Sequence, residues 1–419
     1  METHKNIAFN KFYVFSIFIY LFAAVAIPEQ IKFLSIPGIG GLTISRILLA
    51  FVIVQFTLIF LLHYQHSKIS NDLRTFIAVS ILFSVLGFIG VLINNASIKW
   101  ILYFVECFII TLIIFSSIYS PKYKKQFYKV IIYILAFCNF AFVFEYVYGA
   151  PFYAGFIVYS DEVITTILDG QYRFLSKRSQ SVFQNPYSAS IHALILITLC
   201  SHAYNTFNFN RNFKNFILLN ILIGSALVFF SNVRVSTFLL SLFFLYILLG
   251  KIKNNFLLLF LVFPLIIFLD IPSIFTSIYD LFYSSRSHFS STQERLLQLE
   301  FFTNSFNQAN AMFGIGLGEA TEFFSENGFS ALDNMYLSLI LESGLLGFFF
   351  ASLLLFIPFY LIVKYRRLYH LRYIFLSYIF LLILFTFNAS KEVVMIWSIL
   401  ILIIFNEIDE FKSDIKINS

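Results

Sequence analysis

Long apolar segments recur along the whole chain and constrain its fold more than any other feature. The chain has 419 residues, of which 59% are hydrophobic and 12% are charged, and its mean hydropathy is +0.85. Soluble domains carry about 25% charged residues, so the composition excludes a soluble globular protein. A membrane helix needs ~20 apolar residues, and its backbone groups must be paired within the segment. The sequence therefore predicts an all-α polytopic membrane protein.

We predict about twelve membrane-spanning helices, which form a single multipass membrane domain over residues 1–419. The predicted spans are Phe12–Ile27, Leu42–Leu62, Thr75–Ile93, Ile98–Ile118, Phe127–Tyr148, Pro186–Tyr204, Phe213–Phe230, Val235–Leu249, Phe256–Ile271, Met335–Val363, Tyr373–Phe387 and Val393–Phe405. Apolar residues are continuous rather than alternating, which excludes a transmembrane β-barrel. Two long intervals, residues 149–185 and 272–333, are predicted as outer loops. The larger one lies between the ninth and tenth spans.

The distribution of basic residues sets the orientation. With the N-terminus inside, most of the 28 lysine and arginine residues fall on inner segments, as the positive-inside rule requires. Both termini are then cytoplasmic. The net charge of +6 reflects this topology and attraction to anionic lipid. The sequence contains no aromatic–basic nucleic-acid module, so nucleic acid is not an expected partner.

The basic residues on the predicted outer side are mostly arginines, and topology does not require them there. More than half of the arginines belong to this group. A guanidinium group forms paired hydrogen bonds with phosphate oxygens, whereas lysine acts as a point charge. These arginines favour a lipid-linked phosphate ligand at the outer face. The alternative is that each anchors a helix by reaching to the lipid head groups.

Four sequence elements occur in a characteristic order. Residues 178–186 read R-S-Q-S-V-F-Q-N-P before the sixth span, and residues 231–234 read S-N-V-R between the seventh and eighth. Residues 314–318 read G-I-G-L-G, and residues 333–347 read D-N-M-Y-L-S-L-I-L-E-S-G-L-L-G into the tenth span. This series resembles the bacterial O-antigen polymerase and ligase family. Its members show R-x-x-G-x-F-x-x-P, an S-x-x-R-like turn, G-x-G, and H-N-x-Y-L followed by E-x-G-x-x-G.

Two positions differ from the family pattern. Ser181 stands where the family has glycine, and Asp333 stands where the ligases have histidine. That histidine is tied to ligase activity, whereas the polymerases vary more in sequence. The second difference therefore favours a polymerase over a ligase.

The resemblance implies glycosyl transfer on the outer face of the bacterial inner membrane. The implied reaction polymerises undecaprenyl-pyrophosphate-linked repeat units into O-antigen or capsular polysaccharide. Alternatives are an O-antigen ligase, which moves finished glycan to the lipid A core, and a flippase or transporter of lipid-linked oligosaccharide. Besides membrane lipid and lipid-linked glycans, expected partners are a chain-length regulator and a flippase.

The resemblance also implies roles for particular residues. The residues expected to contact pyrophosphate are Arg178, Arg234, Arg295 and Arg46. Asp333 is the candidate base that deprotonates the attacking hydroxyl, although an aspartate before an apolar helix is also a good N-cap. Asn334 and Tyr336 are candidates for hydrogen bonds to sugar. No metal motif is visible, and the glycines follow a helical pattern rather than a strand, so we expect neither a metal nor a nucleotide cofactor.

Three further features allow two interpretations each. Glu106 and Glu145 lie inside predicted spans, where a carboxylate is expensive and functional by default. Glu106 either lines a cavity for sugar or pairs with Arg46, and a protonated structural role is the alternative for both. Ser291-Thr-Gln-Glu294 fits a capping box that opens a helix with Phe302 on its apolar face. That helix either lies on the membrane surface or packs on the helix bundle.

Overall fold

The computed structural model describes residues 2–27, 32–36, 40–63, 70–118, 121–148, 181, 183, 186–231, 233–249, 301–303, 311–328, 335–365, 371–385 and 393–418. The elements in chain order are α1 Glu2–Ala26, β1 Lys32–Ile36, β2 Gly40–Thr43, α2 Ile44–His63, α3 Asn71–Asn94, α4 Lys99–Phe104, a π-helical segment Val105–Ile110, α5 Thr111–Ile118, α6 Pro121–Tyr148, α7 Pro186–Thr206, α8 Arg211–Phe230, α9 Arg234–Leu249, α10 Ala320–Glu326, α11 Met335–Lys364, α12 Arg372–Phe385 and α13 Val393–Asn418.

The predicted apolar segments coincide with helices wherever the structure describes them. Eleven of the twelve fall on helices in the described ranges, and the ninth, Phe256–Ile271, lies outside them. By length and composition, four helices in these ranges are long and apolar enough to cross a membrane, namely α3, α6 from Tyr123, α8 and α11. Shorter apolar helices lie within α1, α2, α9 and α12. The total of twelve spans and the position of the largest loop stay predictions.

Within the described ranges, one short hairpin lies among the helices. Strand β1 pairs antiparallel with β2, with Ile36 opposite Gly40, between α1 and α2. The sequence predicts no strands in this interval, because it is short and lies between two apolar segments. The prediction of an all-α fold therefore holds for the bundle and not for this connection.

The helices α7 and α13 form the centre of the bundle. Nearly every residue of α7 from Pro186 to Ala203 is buried, and the same is true of α13 over residues 393–405. A helix that is apolar on all sides belongs inside a bundle or a bilayer. The outer helices instead expose large apolar side chains, such as Leu92 on α3 and Leu222 on α8. Such surfaces are suited to lipid.

Ion pairs connect several of the predicted inner segments at one end of the bundle. We call this end the charged end. The Lys124 ammonium on α6 lies 2.7 Å from a Glu407 carboxylate oxygen and 3.0 Å from one of Glu410, both on α13. Lys412, one turn further along α13, pairs with Asp72 at the start of α3. The starts of α3 and α6 and the end of α13 therefore meet here.

The opposite end of the bundle, which we call the loop end, follows from the helix directions. Lys125 donates a hydrogen bond of 2.9 Å to the carbonyl of Asn208, so the turn between α7 and α8 also lies at the charged end. The helices α3, α6 and α8 run from the charged end and finish at the loop end. At the end of α8, Phe230 contacts Tyr146 near the end of α6, with ring centroids 5.6 Å apart. Helices α7 and α9 accordingly begin at the loop end.

The buried ion pair between Lys124 and Glu407 at the charged end should matter strongly for the stability of the protein. Glu407 is 3% exposed, so Lys124→Met leaves a carboxylate buried without its cation and should destabilise the protein by about 3–5 kcal/mol. The double variant Lys124→Met/Glu407→Leu should recover most of that loss. Thermal unfolding in detergent measures both effects. Lys125→Met is the matched control, because Lys125 is exposed, and an equal effect from the two single variants would contradict this assignment.

Candidate functional site

A break in helix α11 organises the described part of the loop end. Gly344 adopts φ 64° and ψ −172°, which is not helical, so the carbonyls just before it lose their partners along the helix. A segment that we call the glycine loop, residues 311–319, supplies new donors. The amide of Ile315 donates to the carbonyl of Leu341 at 2.9 Å, and the amide of Gly316 donates to that of Glu342 at 3.0 Å.

The exchange of main-chain hydrogen bonds is mutual. The amide of Leu345 donates to the carbonyl of Ala311 at 2.7 Å, and that of Leu346 donates to the carbonyl of Met312 at 3.3 Å. Both sides of the break are thus paired with the glycine loop. This matters in a membrane protein, where an unpaired backbone group inside the bundle costs several kcal/mol. The break and the glycine loop therefore form one hydrogen-bonded unit.

Glycine is required where the two backbones cross. Gly314 has φ +69°, and a Cβ atom there would lie 2.4 Å from the main-chain carbon of Glu342. A Cβ atom on Gly344 would lie 2.4 Å from the main-chain carbon of Met312. Gly316 has φ +111°, and its added Cβ would lie 2.5 Å from that of Ala96. Gly314 and Gly344 are therefore needed for close contact between the two backbones, and Gly316 for close contact with the side chain of Ala96.

Helix α3 supports the glycine loop from the other side. Asn94 donates a 2.9 Å hydrogen bond to the carbonyl of Gly314. A Cβ atom on Gly90 would lie 2.9 Å from the carbonyl oxygen of Phe313, and one on Gly87 would meet Leu317. We did not select these α3 residues from the sequence. The signal in the sequence was the presence of two glycines in an apolar helix, because small residues allow neighbouring backbones to approach closely.

The buried carboxylate of Glu342 fixes the short helix α10. It is 6% exposed, and one of its oxygens accepts a 3.2 Å hydrogen bond from the amide of Ala320, the first residue of α10. Phe302 and Phe324 pack with Leu341 in a small apolar cluster beside this contact. Most of the helix predicted to follow Ser291 lies outside the described residues. Its described end, however, packs on the protein rather than only on lipid.

Ser181 explains one departure from the family pattern. It has φ +53°, a left-handed conformation that glycine adopts readily and other residues adopt at a cost of about 1–2 kcal/mol. Two hydrogen bonds hold it there. Its amide donates to the Glu145 carboxylate at 2.8 Å, and its hydroxyl donates to the carbonyl of Cys138 at 2.6 Å. A glycine at this position would adopt the same conformation without that cost. Arg178, three residues earlier, lies outside the described residues.

The segment after Ser181 leads into the central helix. The ring of Phe183 stacks on that of His192, with centroids 4.3 Å apart, and His192 Nδ1 lies 2.8 Å from the carbonyl of Ser188. These contacts support a packing role for this histidine. Pro186 is the first residue of α7, a position that suits proline because its missing amide would have no partner there.

Arg234 is the first residue of α9, as the predicted turn between the seventh and eighth spans requires. Before it, the buried Ser231 donates a 2.7 Å hydrogen bond to the carbonyl of Val228 and closes the end of α8. The hydroxyls of Ser190 on α7 and Ser236 on α9 lie 2.9 Å apart. The first turns of α7 and α9 are therefore neighbours at the loop end.

An ion pair joins Arg46 at the start of α2 to Glu106 in the π-helical segment. The Arg46 Nε atom lies 2.9 Å from a Glu106 carboxylate oxygen, and both side chains are partly exposed. The pairing that we considered for Glu106 is thus confirmed. Glu106 lies in the π-helical segment, and such segments are frequent at functional sites because they alter the direction of side chains.

The remaining candidates divide between described and undescribed residues. Tyr336 lies in the first turn of α11, and its hydroxyl donates a 2.8 Å hydrogen bond to the carbonyl of Leu382 on α12. Arg295, Asp333 and Asn334 lie outside the described residues, so their roles stay predictions. In the described part of the chain, no group of three or more His, Cys, Asp or Glu residues could hold a metal ion.

The backbone crossing makes a sharp prediction about glycine substitutions. Gly314→Ala and Gly344→Ala should each abolish the folded state or lower the thermal midpoint strongly, because backbone atoms on both sides cannot move apart. Gly328→Ala is the matched control. Gly328 also has a positive φ, +80°, but no atom lies within 4 Å of its added Cβ. It should lose only about 1–2 kcal/mol of stability. Size-exclusion profiles and melting curves in detergent measure this, and equal behaviour of all three variants would contradict the crossing.

Comparison with known proteins supports the family. Residues 219–352 match the family model described as O-antigen ligase. This match covers less than half of the chain and includes most of α8, Arg234, the glycine loop and the break in α11, but not the segment around Arg178. No curated protein matches the chain significantly. The match therefore confirms the resemblance to the O-antigen polymerase and ligase family for residues 219–352 of this membrane protein.

Proposed function

We propose that the chain is a glycosyltransferase of the O-antigen polymerase type. It joins repeat units carried on undecaprenyl pyrophosphate into O-antigen or capsular polysaccharide at the outer face of the bacterial inner membrane. The observation that carries this proposal is the position of three family elements. Residues 178–186 lead into the first turn of α7, residues 231–234 into α9, and residues 333–347 into α11.

These helix starts favour an anionic ligand. Helices α7 and α9 begin side by side at the loop end, and α11 is linked to them through α12. The hydroxyls of Thr198 on α7 and Ser377 on α12 are hydrogen-bonded, and the hydroxyl of Tyr336 on α11 donates to the carbonyl of Leu382, also on α12. The N-terminus of a helix carries a partial positive charge and free amide groups, which stabilise phosphate oxygens. Arginines at these positions add full positive charge.

The proposed chemistry is a displacement at the anomeric carbon of the growing glycan. A sugar hydroxyl of the next lipid-linked unit attacks this carbon, the bond to the pyrophosphate oxygen breaks, and undecaprenyl pyrophosphate leaves with the electron pair. Asp333 accepts the hydroxyl proton. The proposed role of Arg178, Arg234, Arg295 and Arg46 is to stabilise the negative charge that develops on the leaving group. Asn334 and Tyr336 would orient the sugar.

The ligase reaction is the second candidate, because the matching family model is described as O-antigen ligase. It uses the same donor and leaving group and differs only in the acceptor, the lipid A core. The aspartate at position 333, where the ligases have histidine, is the reason that we favour the polymerase. A flippase draws no support from the family match.

A deletion strain separates these functions. Loss of a polymerase should leave single repeat units on the core and abolish the ladder of chain lengths. Loss of a ligase should instead leave long chains on the carrier lipid. In complementation, Arg178→Ala and Arg234→Ala should fail to restore the ladder. Arg211→Ala is the matched control, because Arg211 begins α8 at the charged end as Arg234 begins α9 at the loop end. Normal ladders from both Arg178→Ala and Arg234→Ala would exclude their proposed roles.

Asp333→Asn distinguishes a base from a helix cap. Asparagine caps a helix as well as aspartate does, but it cannot accept the proton. The variant should therefore reach normal levels and melt normally while losing activity, since general-base catalysis contributes about 10²–10⁴-fold. Ladder formation and melting in detergent are the two measurements. Retained activity would assign Asp333 to the cap alone.

A further inference from the structure

We propose that helices α6 and α8 form a binding site for an anionic phospholipid at the charged end of the bundle. Lys125 and Lys129 on α6 hold the phosphate of the head group, and the aromatic side chains that follow them on the same face contact an acyl chain. This inference goes beyond the proposed function and does not depend on it, because the site lies at the opposite end of the bundle from the loop end.

The two lysines are held side by side against aromatic rings. They lie one helical turn apart on one face of α6. Lys125 Nζ is 5.1 Å from the ring centroid of Phe209, and Lys129 Nζ is 5.6 Å from that of Phe213 in the first turn of α8. These two rings also contact each other, with centroids 4.9 Å apart. Cation–π contacts stabilise the lysine side chains without neutralising their charge.

No carboxylate of the described residues balances this pair of positive charges. Between the start of α6 and the end of α8, the described part of the chain contains one acidic residue, Glu145, which lies near the loop end. By contrast, Lys124 and Lys412 at the same charged end pair with carboxylates. Like charges one turn apart destabilise a helix, so the two lysines favour an anion supplied from outside.

The ammonium groups also retain donors for that anion. Lys125 donates to the carbonyl of Asn208 at 2.9 Å, which uses one of its three N–H groups. Among the described residues, no hydrogen bond involves the ammonium of Lys129. Charge-assisted hydrogen bonds to phosphate oxygens are stronger than neutral ones. Two adjacent ammonium groups therefore suit one phosphodiester group.

The same face of α6 continues as an exposed aromatic stripe. Tyr133, one turn after the lysines, is 48% exposed, and Phe140, two turns further, is 56% exposed. Tyr133 contacts the rings of Phe213 and Phe216 on α8, with centroids 6.1 and 6.2 Å away. Both helices are long and apolar enough to cross a membrane. A soluble phosphate would leave this stripe uncovered, whereas a phospholipid covers it with an acyl chain, and basic pockets between membrane helices bind such head groups.

Lipid titration of the purified full chain in a neutral detergent tests this inference. Phosphatidylglycerol and phosphatidylcholine are added separately, and native mass spectrometry of the bound lipid gives an apparent dissociation constant for each. The wild type should bind phosphatidylglycerol more tightly than phosphatidylcholine. The double variant Lys125→Gln/Lys129→Gln should bind phosphatidylglycerol about thirtyfold more weakly, since each basic residue near an anionic lipid contributes about fivefold. Its affinity for phosphatidylcholine should not change.

Lys364→Gln is the matched control. Lys364 is also exposed and lies over an aromatic ring, 5.7 Å from the centroid of Tyr360, at the charged end of α11. It should leave phosphatidylglycerol binding unchanged. Lys129→Arg keeps the charge and should keep the affinity. If the double variant does not stay monodisperse, Lys129→Gln alone takes its place and should lose about fivefold.

The acyl chain has its own test. Phe140→Ala removes an exposed ring and should weaken the binding of both lipids. Glycerol phosphate carries the head-group phosphate without acyl chains and should not displace phosphatidylglycerol.

Three results would overturn the site. Equal affinity of the wild type and the double variant for phosphatidylglycerol would exclude the two lysines, and an equal loss in Lys364→Gln would assign the preference to surface charge in general. Displacement of the lipid by glycerol phosphate, or wild-type lipid binding by Phe140→Ala, would exclude a phospholipid that lies along the stripe.

Discussion

The close crossing of the glycine loop with the broken helix α11 is the constraint on which the described loop end depends. Four main-chain hydrogen bonds join the two segments, and the backbones approach so closely that neither Gly314 nor Gly344 can carry a side chain. A break in a membrane helix is tolerated only if other protein groups pair with the freed amides and carbonyls. The glycine loop supplies those groups, so its sequence and that of α11 must be compatible at every residue of the crossing.

This arrangement gives the bundle two chemically different ends. At the charged end, lysines pair with carboxylates on α3 and α13, and the contacts are ordinary ion pairs. The loop end contains irregular backbone instead, in the left-handed turn at Ser181, the π-helical segment around Glu106 and the break at Gly344. Strained or irregular backbone persists only where its surroundings determine it fully, and it clusters at functional sites. The distribution of irregular backbone thus favours the loop end as the place of binding.

Much of the helical framework could be predicted from the sequence, because hydrophobicity in a membrane protein directly reports which residues are in apolar surroundings. The spans Met335–Val363 and Pro186–Tyr204 agree with α11 and α7 within two residues. The break inside α11 could not be predicted, because apolar composition is the same on both sides of a kink. The short β hairpin could not be predicted either, because its interval is short and lies between two apolar segments. The Arg46–Glu106 pair was one of two interpretations, since an embedded carboxylate requires a partner but the sequence does not name it. The roles of Asn94 and Ser181 depend on contacts between distant segments, which no local pattern reports.

Synthesis by the purified chain alone is the most direct test of the central claim, that this membrane protein uses a lipid diphosphate as the leaving group for polymerisation. The chain is reconstituted in vesicles with repeat units on undecaprenyl pyrophosphate as the only substrate. The account predicts glycans of increasing length on the carrier lipid, with one undecaprenyl pyrophosphate released for each new glycosidic bond. Repeat units that stay single, or that are transferred only when lipid A core is added, would contradict it.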